Sequence, residues 1–300
     1  MNKSNNSKIA RPRLRLFQNA LASVCLVVAG SAWGAAAPEP LSIAPVAGKV
    51  YMISGGTGAN ISVLAGEGEA LMVDGKGPAE FDRIRELVRE VSGGEVRYLI
   101  NGHEHPDHTD GNAGFGGSGS IIVAHRGVRD VLAAGQRGGP PAPAEALPTV
   151  TIDHGEKLTL HFAGETVHFI AAPPAHSEFN AIVFYENANV LHLGDLFGPI
   201  RYPVIAGGTI DGLIAADEQA LALANDDTKV IAGIGPLSTV AELRAYVAML
   251  KTVKQRVAEL AAQGKSLEDV LAANVTAEFD ATWGDPSRFI PTVYENVKAQ

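Results

Sequence analysis

The chain has 300 residues, a formal net charge of −9 at pH 7 and a hydrophobic fraction of 46%. An acidic chain without a long run of like charges is a poor candidate for binding nucleic acid or anionic membranes, because both are negatively charged. The length and the apolar fraction suffice for one sizeable globular domain. Nucleic acid and anionic membranes are therefore not expected as partners.

The first 37 residues have the features of a secretory signal peptide: a basic start, an apolar stretch at 17–30 and small residues at 32–37. The apolar stretch is shorter than the about 20 residues that a membrane span needs, so cleavage is favoured over a membrane anchor. Cleavage would change the net charge from −9 to −14 and remove Cys25, the only cysteine. We therefore predict a signal peptide at 1–37, a domain at 38–300, a periplasmic or secreted location and no membrane attachment after cleavage.

Hydrophobic periodicity predicts a mixed α/β protein built from two β-rich segments that each lead into helices. In the first segment strands are predicted at 50–54, 60–64, 69–74, 96–100 and 121–124, and helices at 81–91 and 128–134. A link rich in proline and glycine follows at 135–148. In the second segment strands are predicted at 149–153, 157–162, 165–171, 180–185, 189–193 and 229–232, and helices at 210–224, at 240–263 and from 267 onward. This order implies two sheets covered by helices on their outer faces.

The segment 101–110 reads Asn-Gly-His-Glu-His-Pro-Asp-His-Thr-Asp and contains three of the nine histidines. In an extended segment His103 and His105 point the same way, so both can reach one metal ion. Gly102 and Pro106 disfavour a helix here, which excludes the helical His-Glu-x-x-His motif of zinc proteases. Imidazole and carboxylate are ligands that zinc prefers, so this spacing favours a metal site over a polar surface loop.

The spacing His-x-His-x-Asp-His resembles the signature of the metallo-β-lactamase superfamily. The resemblance implies an αββα sandwich with metal ions at the edge where the sheets meet. It also implies a first site of three histidines, a bridging carboxylate at Asp195 and a strand-end Asp74 that supports the metal loop. The metal ligands that the resemblance implies are His103, His105, His176, Asp107, His108 and Asp195.

Two positions depart from the family pattern. Ile234 stands where the family usually has a histidine that completes the second site, so zinc binding there is expected to be weaker, with one or two ions per chain. Phe179, three residues after His176, adds bulk near the expected mouth of the site. His192 lies three residues before Asp195, and strand alternation points it to the opposite face, so it is not expected to replace the missing ligand.

The resemblance favours a zinc-dependent hydrolase in which Asp107 is the catalytic residue that orients a metal-bound hydroxide and shuttles its proton. The substrate would be a small ester, lactone, thioester or β-lactam-like molecule. Two other classes remain open on the sequence. A non-catalytic binding or scaffold member would fit Ile234, and a mononuclear iron dioxygenase would use His103, His176 and Asp195.

Overall fold

The computed structural model describes residues 39–299, so the signal peptide predicted at 1–37 lies outside the described residues. The strands are β1 (Ser42–Ala47), β2 (Val50–Ser54), β3 (Ile61–Ala65), β4 (Glu69–Val73), β5 (Glu95–Ile100), β6 (Ile121–His125), β7 (Val150–Ile152), β8 (Lys157–Phe162), β9 (Glu165–Ala171), β10 (Ala181–Tyr185), β11 (Val190–Gly194), β12 (Lys229–Ala232) and β13 (Ser238–Thr239). The helices are α1 (Phe81–Ser92), α2 (Pro106–Thr109), α3 (Asn112–Gly117), α4 (Arg126–Ala134), α5 (Ile210–Leu223), α6 (Val240–Ala262), α7 (Leu267–Ala272), α8 (Asp280–Trp283) and α9 (Phe289–Lys298).

The strands form two sheets. The first sheet has the order β1-β2-β3-β4-β5-β6-β7, antiparallel up to β4 and parallel from β4 onward. The second has the order β13-β12-β11-β10-β9-β8, in which only β11 and β12 run parallel. The mixed α/β architecture with two sheets that the sequence predicted is therefore confirmed.

The hydrophobic residues divide into layers. Inward-facing residues of both sheets, such as Leu71, Ile100, Phe169 and Val183, share one cluster between the sheets. A second cluster lies between the first sheet and α1, and a third packs α5, α6 and α9 on the second sheet. Each sheet thus buries both faces, which explains the nearly continuous apolar runs of its central strands.

The helices follow from local sequence signals. In α1 the buried residues Ile84, Leu87 and Val88 recur at helical spacing, and Gly93 ends the helix with a left-handed φ of 72°. In α6 the hydroxyl of Thr239 accepts the backbone N–H of Glu242, while the Glu242 carboxylate accepts the backbone N–H of Thr239. Among residues 39–299, no helix combines the length and apolar character that crossing a bilayer requires.

The expectation that the metal-loop segment would avoid helix was wrong at Pro106. Pro106 is the first residue of α2, where its missing N–H costs no intrahelical hydrogen bond, and His105 before it stays extended. The edge strand β1 was not predicted, because Pro45 disfavours a strand, although an edge strand tolerates proline. Helix α3 was not predicted either, because its three glycines have low helix propensity.

The strand directions determine where the candidate site lies. β4 and β5 run parallel, and β9 and β11 also share a direction because both pair antiparallel with β10. The backbone N–H of Ala181 donates to the carbonyl of Gly102 at 2.8 Å, which links the segment after β5 to the second sheet. The segments that follow β4, β5, β9 and β11 supply the side chains described next.

Candidate metal centre

Three imidazole rings meet where β5 and β9 end. His103 and His105 follow β5, and His176 follows β9. Nδ1 of His105 lies 2.9 Å from Nε2 of His103 and 3.0 Å from Nε2 of His176. Ring nitrogens this close around a common point can hold one metal ion. The structure thus brings together the three histidines that the sequence assigned to the first site.

These imidazoles are poised to be neutral. Burial, reinforced by the neighbouring histidines, lowers the pKa of His103 well below its usual value, and burial also lowers the pKa of His105 and His176. Nδ1 of His176 donates to the carbonyl oxygen of Val204 at 2.6 Å. The proton is therefore on Nδ1, and the lone pair of Nε2 points toward the other two rings, as metal binding requires.

A second group of ligand atoms lies beside the first. Nε2 of His108 is 3.8 Å from Oδ2 of Asp107 and 3.9 Å from Oδ1 of Asp195. Oδ2 of Asp195 is 3.5 Å from Nε2 of His176, so this carboxylate spans both groups. Within residues 39–299, His108 Nε2 and Asp195 Oδ1 are buried and have no hydrogen-bond partner. Unpaired buried polar atoms are costly, and one cation between the two would satisfy both.

Asp74 contacts Nδ1 of His108, the ring nitrogen opposite the second group. At the end of β4, in a left-handed conformation with φ 68°, its Oδ2 lies 2.7 Å from His108 Nδ1 and its Oδ1 accepts the Gly102 N–H at 2.7 Å. Burial alone would lower the pKa of His108, but the charge and hydrogen bond of Asp74 overcome this and raise it to about 9. At pH 7 the metal-free ring therefore holds a proton on both nitrogens. A metal ion bound at Nε2 would displace the proton there, while Nδ1 keeps its own proton toward Asp74.

Comparison with known proteins identifies the family. The family model described as "Metallo-beta-lactamase superfamily" matches residues 54–235, which include every residue of both groups. The chain belongs to this superfamily. Solved metallo-beta-lactamases from Pontibacter korlensis (TM-score 0.60, 15% identity, 71% of this chain and 99% of that one) and Hirschia baltica (0.59, 18%, 71% and 98%) share the fold.

Two curated relatives match about half of this metallo-beta-lactamase-fold chain. A hydroxyacylglutathione hydrolase from Polaromonas sp. is 30% identical over 169 residues, 55% of this chain and 57% of the relative. The α subunit of a 2,4-dinitroanisole O-demethylase from Nocardioides sp. is 27% identical over 161 residues, 52% of this chain and 47% of the relative. The chain therefore spans about half the length of the curated relatives that it matches.

The turn that carries Ile234 lies against the second group. A side chain at Gly233 would place its Cβ 2.1 Å from Oδ1 of Asp195, so the backbone at 233 contacts that carboxylate. The Asn60 side chain donates to the carbonyls of Ala232 and Gly235, both at 2.9 Å, and fixes the turn. Position 234 is thus adjacent to the second group, as the family alignment implies, but it offers no ligand atom.

The segment after His176 forms one wall of the site. Ser177 donates its hydroxyl to Glu104 Oε2 at 2.8 Å, which ties this segment to the metal loop. Phe179 stacks on His125 with ring centroids 5.0 Å apart, and it lines a cavity of about 200 Å³ together with His105. The structure therefore places Phe179 in the wall of the cavity beside His105.

Three residues that support the candidate site were not predicted from the sequence. Arg201 approaches Asp195, with Nη2 3.5 Å from Oδ2, and Val204 orients His176. Lys76 is buried and donates to the carbonyls of Gly55, Thr57 and Gly58 at 3.0–3.2 Å. No motif marks these residues, although a lysine directly after the Asp-Gly pair at the end of β4 was a weak signal. His192 does not replace the missing ligand; its Nε2 lies 3.3 Å from Asp74 Oδ2.

Proposed function

We propose that this chain is a zinc-dependent hydrolase that cleaves a small ester, lactone, thioester or β-lactam-like substrate. The observation that carries the proposal is the pair of buried, unpaired ligand atoms within residues 39–299, Nε2 of His108 and Oδ1 of Asp195, 3.9 Å apart. They lie beside three converging imidazoles, and a bound cation would remove the cost of leaving them unpaired.

The donor set fits zinc, which takes imidazole nitrogen and carboxylate oxygen. The first ion would be held by three histidines and the second by one imidazole and two carboxylates, with Asp195 shared. His103, His105 and His176 would hold the first ion. Asp107, His108 and Asp195 would hold the second, with ligand atoms of His108 and Asp195 also within 4.8 Å of a ring nitrogen of His103. When bound, zinc supplies a Lewis acid and lowers the pKa of water to about 7.

Asp107 is suited to move the proton. Its side chain is 42% exposed, whereas that of His108 is fully buried, so only Asp107 of this pair reaches an entering water. Its carboxylate accepts a proton from the attacking water and returns it to the leaving group. One water is consumed, the acyl bond to oxygen, sulfur or nitrogen breaks, and a carboxylic acid and the protonated leaving group form.

Arg201 sets the charge at the mouth of the site. Its side chain is 39% exposed, and its guanidinium lies 3.5 Å from Oδ2 of Asp195, whose side chain is 10% exposed. A fixed cation at this point offsets the carboxylates and stabilises negative charge that develops on the substrate carbonyl oxygen. Removing this charge is expected to lower kcat more than it changes substrate binding.

The geometry favours hydrolysis over the two alternatives. A binding or scaffold protein gains nothing from unpaired buried ligand atoms, which reduce stability without a cation. A two-histidine, one-carboxylate iron site would not need a third imidazole, yet Nδ1 of His105 lies within 3.0 Å of both other histidine nitrogens. The named activity of the Polaromonas relative also supports hydrolysis. The basic and apolar leader supports export to the periplasm or beyond.

The test measures zinc per chain and hydrolysis of acetyl esters, acetyl thioesters, lactones and a β-lactam by the purified protein. The proposal expects one or two zinc ions per chain and hydrolysis of at least one of these substrates. His103→Asn should lose zinc and activity, whereas His161→Asn, which changes an exposed histidine on β8, should retain both. A protein that binds no zinc, or a fully zinc-loaded protein that hydrolyses none of them, contradicts the proposal.

A further inference from the structure

A second cavity shares part of its lining with the cavity at His105. It has a volume of about 370 Å³, within the range of small-molecule pockets, which is about 300–1,000 Å³. We call it the proline-lined cleft, because Pro106 of α2 and the segment 139–143 form two of its walls. Gln136 and Arg137 line both this cleft and the 200 Å³ cavity at His105. The two cavities are therefore neighbours that share these two residues.

The walls of the cleft offer few groups for polar ligands. Three of the four residues in the run Pro140, Pro141, Ala142 and Pro143 have no backbone N–H. The fourth, Ala142, donates its N–H to the carbonyl of Leu132 at 2.9 Å. The side chains of Leu132, Ala113 and Ala146 supply further apolar surface. A surface of this kind binds aliphatic groups and leaves no donor of this run unpaired.

The polar side chains that line the cleft are those of Thr109, Asp110, Gln136 and Arg137. The last two also line the cavity at His105, and we call this pair the neck. The amide of Gln136 donates to the carbonyl of Glu104 and lies 3.2 Å from the hydroxyl of Thr109, so it ties the neck to the metal loop. Asp110 and Arg137 carry opposite charges on the same cleft, which leaves it without net charge. Arg137 has a left-handed backbone with φ 49°, a strained conformation often retained at functional sites.

We propose that the proline-lined cleft binds the aliphatic acyl tail of the substrate, so that the preferred substrates are medium-chain acyl esters or thioesters. This inference rests on the proposed hydrolysis, because it names the substrate class of the same site. The acyl carbonyl lies at the histidine cluster, and the tail passes Gln136 and Arg137 into the cleft. The cavity at His105 has a volume of about 200 Å³, and the proline-lined cleft beside it adds about 370 Å³ with a more apolar lining.

The experiment compares acetyl, butanoyl, hexanoyl and octanoyl thioesters. Burial of each methylene tightens binding about fourfold, so kcat/KM should rise on the order of 100-fold from butanoyl to octanoyl. Ala142→Trp fills the cleft and should flatten this series while leaving acetyl hydrolysis intact. Ala133→Trp is the matched control, since Ala133 is exposed on α4 outside the cleft. Ala113→Phe narrows the cleft from another wall and serves as the test if Ala142→Trp fails to fold.

A binding measurement without chemistry separates the two proposals. Calorimetry with 1-octanol and 1-butanol should show the octanol preference in the parent and in Ala133→Trp, and its loss in the cleft variants. If the protein hydrolyses acetyl thioesters without a chain-length preference and binds both alcohols equally, the cleft assignment is wrong. The hydrolase proposal is unaffected by that result. If Ala142→Trp abolishes octanol binding but the zinc-loaded protein hydrolyses no ester, the cleft remains an aliphatic binding site and the hydrolase proposal is overturned.

Discussion

Asp74 offers the sharpest test of how the second metal position is built. Its Oδ2 lies 2.7 Å from Nδ1 of His108, and its Oδ1 accepts the N–H of Gly102 at 2.7 Å. Asp74→Asn preserves the shape and one acceptor oxygen but removes the negative charge. The ring of His108 then loses the partner that fixes its tautomer.

The magnitude follows from these contacts. Hydrogen bonds to a charged group contribute about 1.5–3 kcal/mol each, so we expect Asp74→Asn to lower the free energy of unfolding by about 2–4 kcal/mol. Loss of a partner behind a metal-binding histidine weakens metal affinity by about 10–100-fold. Because Asp74 contacts His108 and none of the three clustered histidines in the described hydrogen bonds, the second zinc should weaken more than the first.

Zinc affinity is measured by competition with a chromophoric chelator, and stability by urea unfolding of the metal-free protein. Asp226→Asn is the control, because Asp226 is 85% exposed and pairs with Arg244 on the surface. Unchanged affinity for the second ion in Asp74→Asn would refute the orienting role. An equal loss for both ions would show that the substitution acts through general destabilisation.

Three further predictions concern Ile234, Asp217 and Lys76. Ile234→His should raise the affinity for the second zinc ion by about tenfold or more, since about 1.4 kcal/mol from the added histidine ligand corresponds to a factor of ten in affinity. Unchanged zinc affinity would mean that the side chain at 234 does not face the second group. Burial raises the pKa of Asp217 well above its usual value, so folded protein binds that proton more tightly and loses stability as the pH rises above about 3.9. The asparagine of Asp217→Asn does not titrate. The free energy of unfolding of this variant, relative to that of the parent, should therefore rise by about 1.4 kcal/mol per pH unit between about pH 3.9 and the pKa of Asp217 in the folded protein. A difference that does not depend on pH would contradict this. Lys76→Met should cost at least about 2 kcal/mol in urea unfolding, because three carbonyls lose a charged donor, whereas the exposed Lys49→Met should cost less than about 1 kcal/mol; equal losses would contradict the role of Lys76.

The sequence predicted those parts of the fold and site that depend on local pattern. Apolar runs marked the central strands, and helical spacing marked α1, α5 and α6, because burial on one or both faces leaves a periodic trace. The spacing of His103, His105, Asp107 and His108 identified the metal loop, since ligands from one short segment must follow its local geometry. His176 and Asp195 needed the family resemblance, because a lone histidine or aspartate after a strand has many ordinary uses.

Other features depend on contacts between distant segments and leave no local trace. Val204 contacts His176 from 28 positions away in the sequence. The proline-lined cleft was visible in the sequence only as a link rich in proline and glycine. Its relation to the metal loop depends on Gln136, whose amide reaches the carbonyl of Glu104.

The second metal position is preserved by its surroundings despite the loss of a ligand at 234. Asn60 clamps the turn, and the backbone of Gly233 contacts Asp195, so that carboxylate keeps its direction toward His108. Asp74 fixes the opposite ring, and Lys76 holds the glycine-rich turn that packs on Asp107. Contacts within the chain thus fix the remaining ligands before any ion binds. Zinc binding should therefore raise the melting temperature mainly by satisfying the buried unpaired atoms, with little change in the backbone.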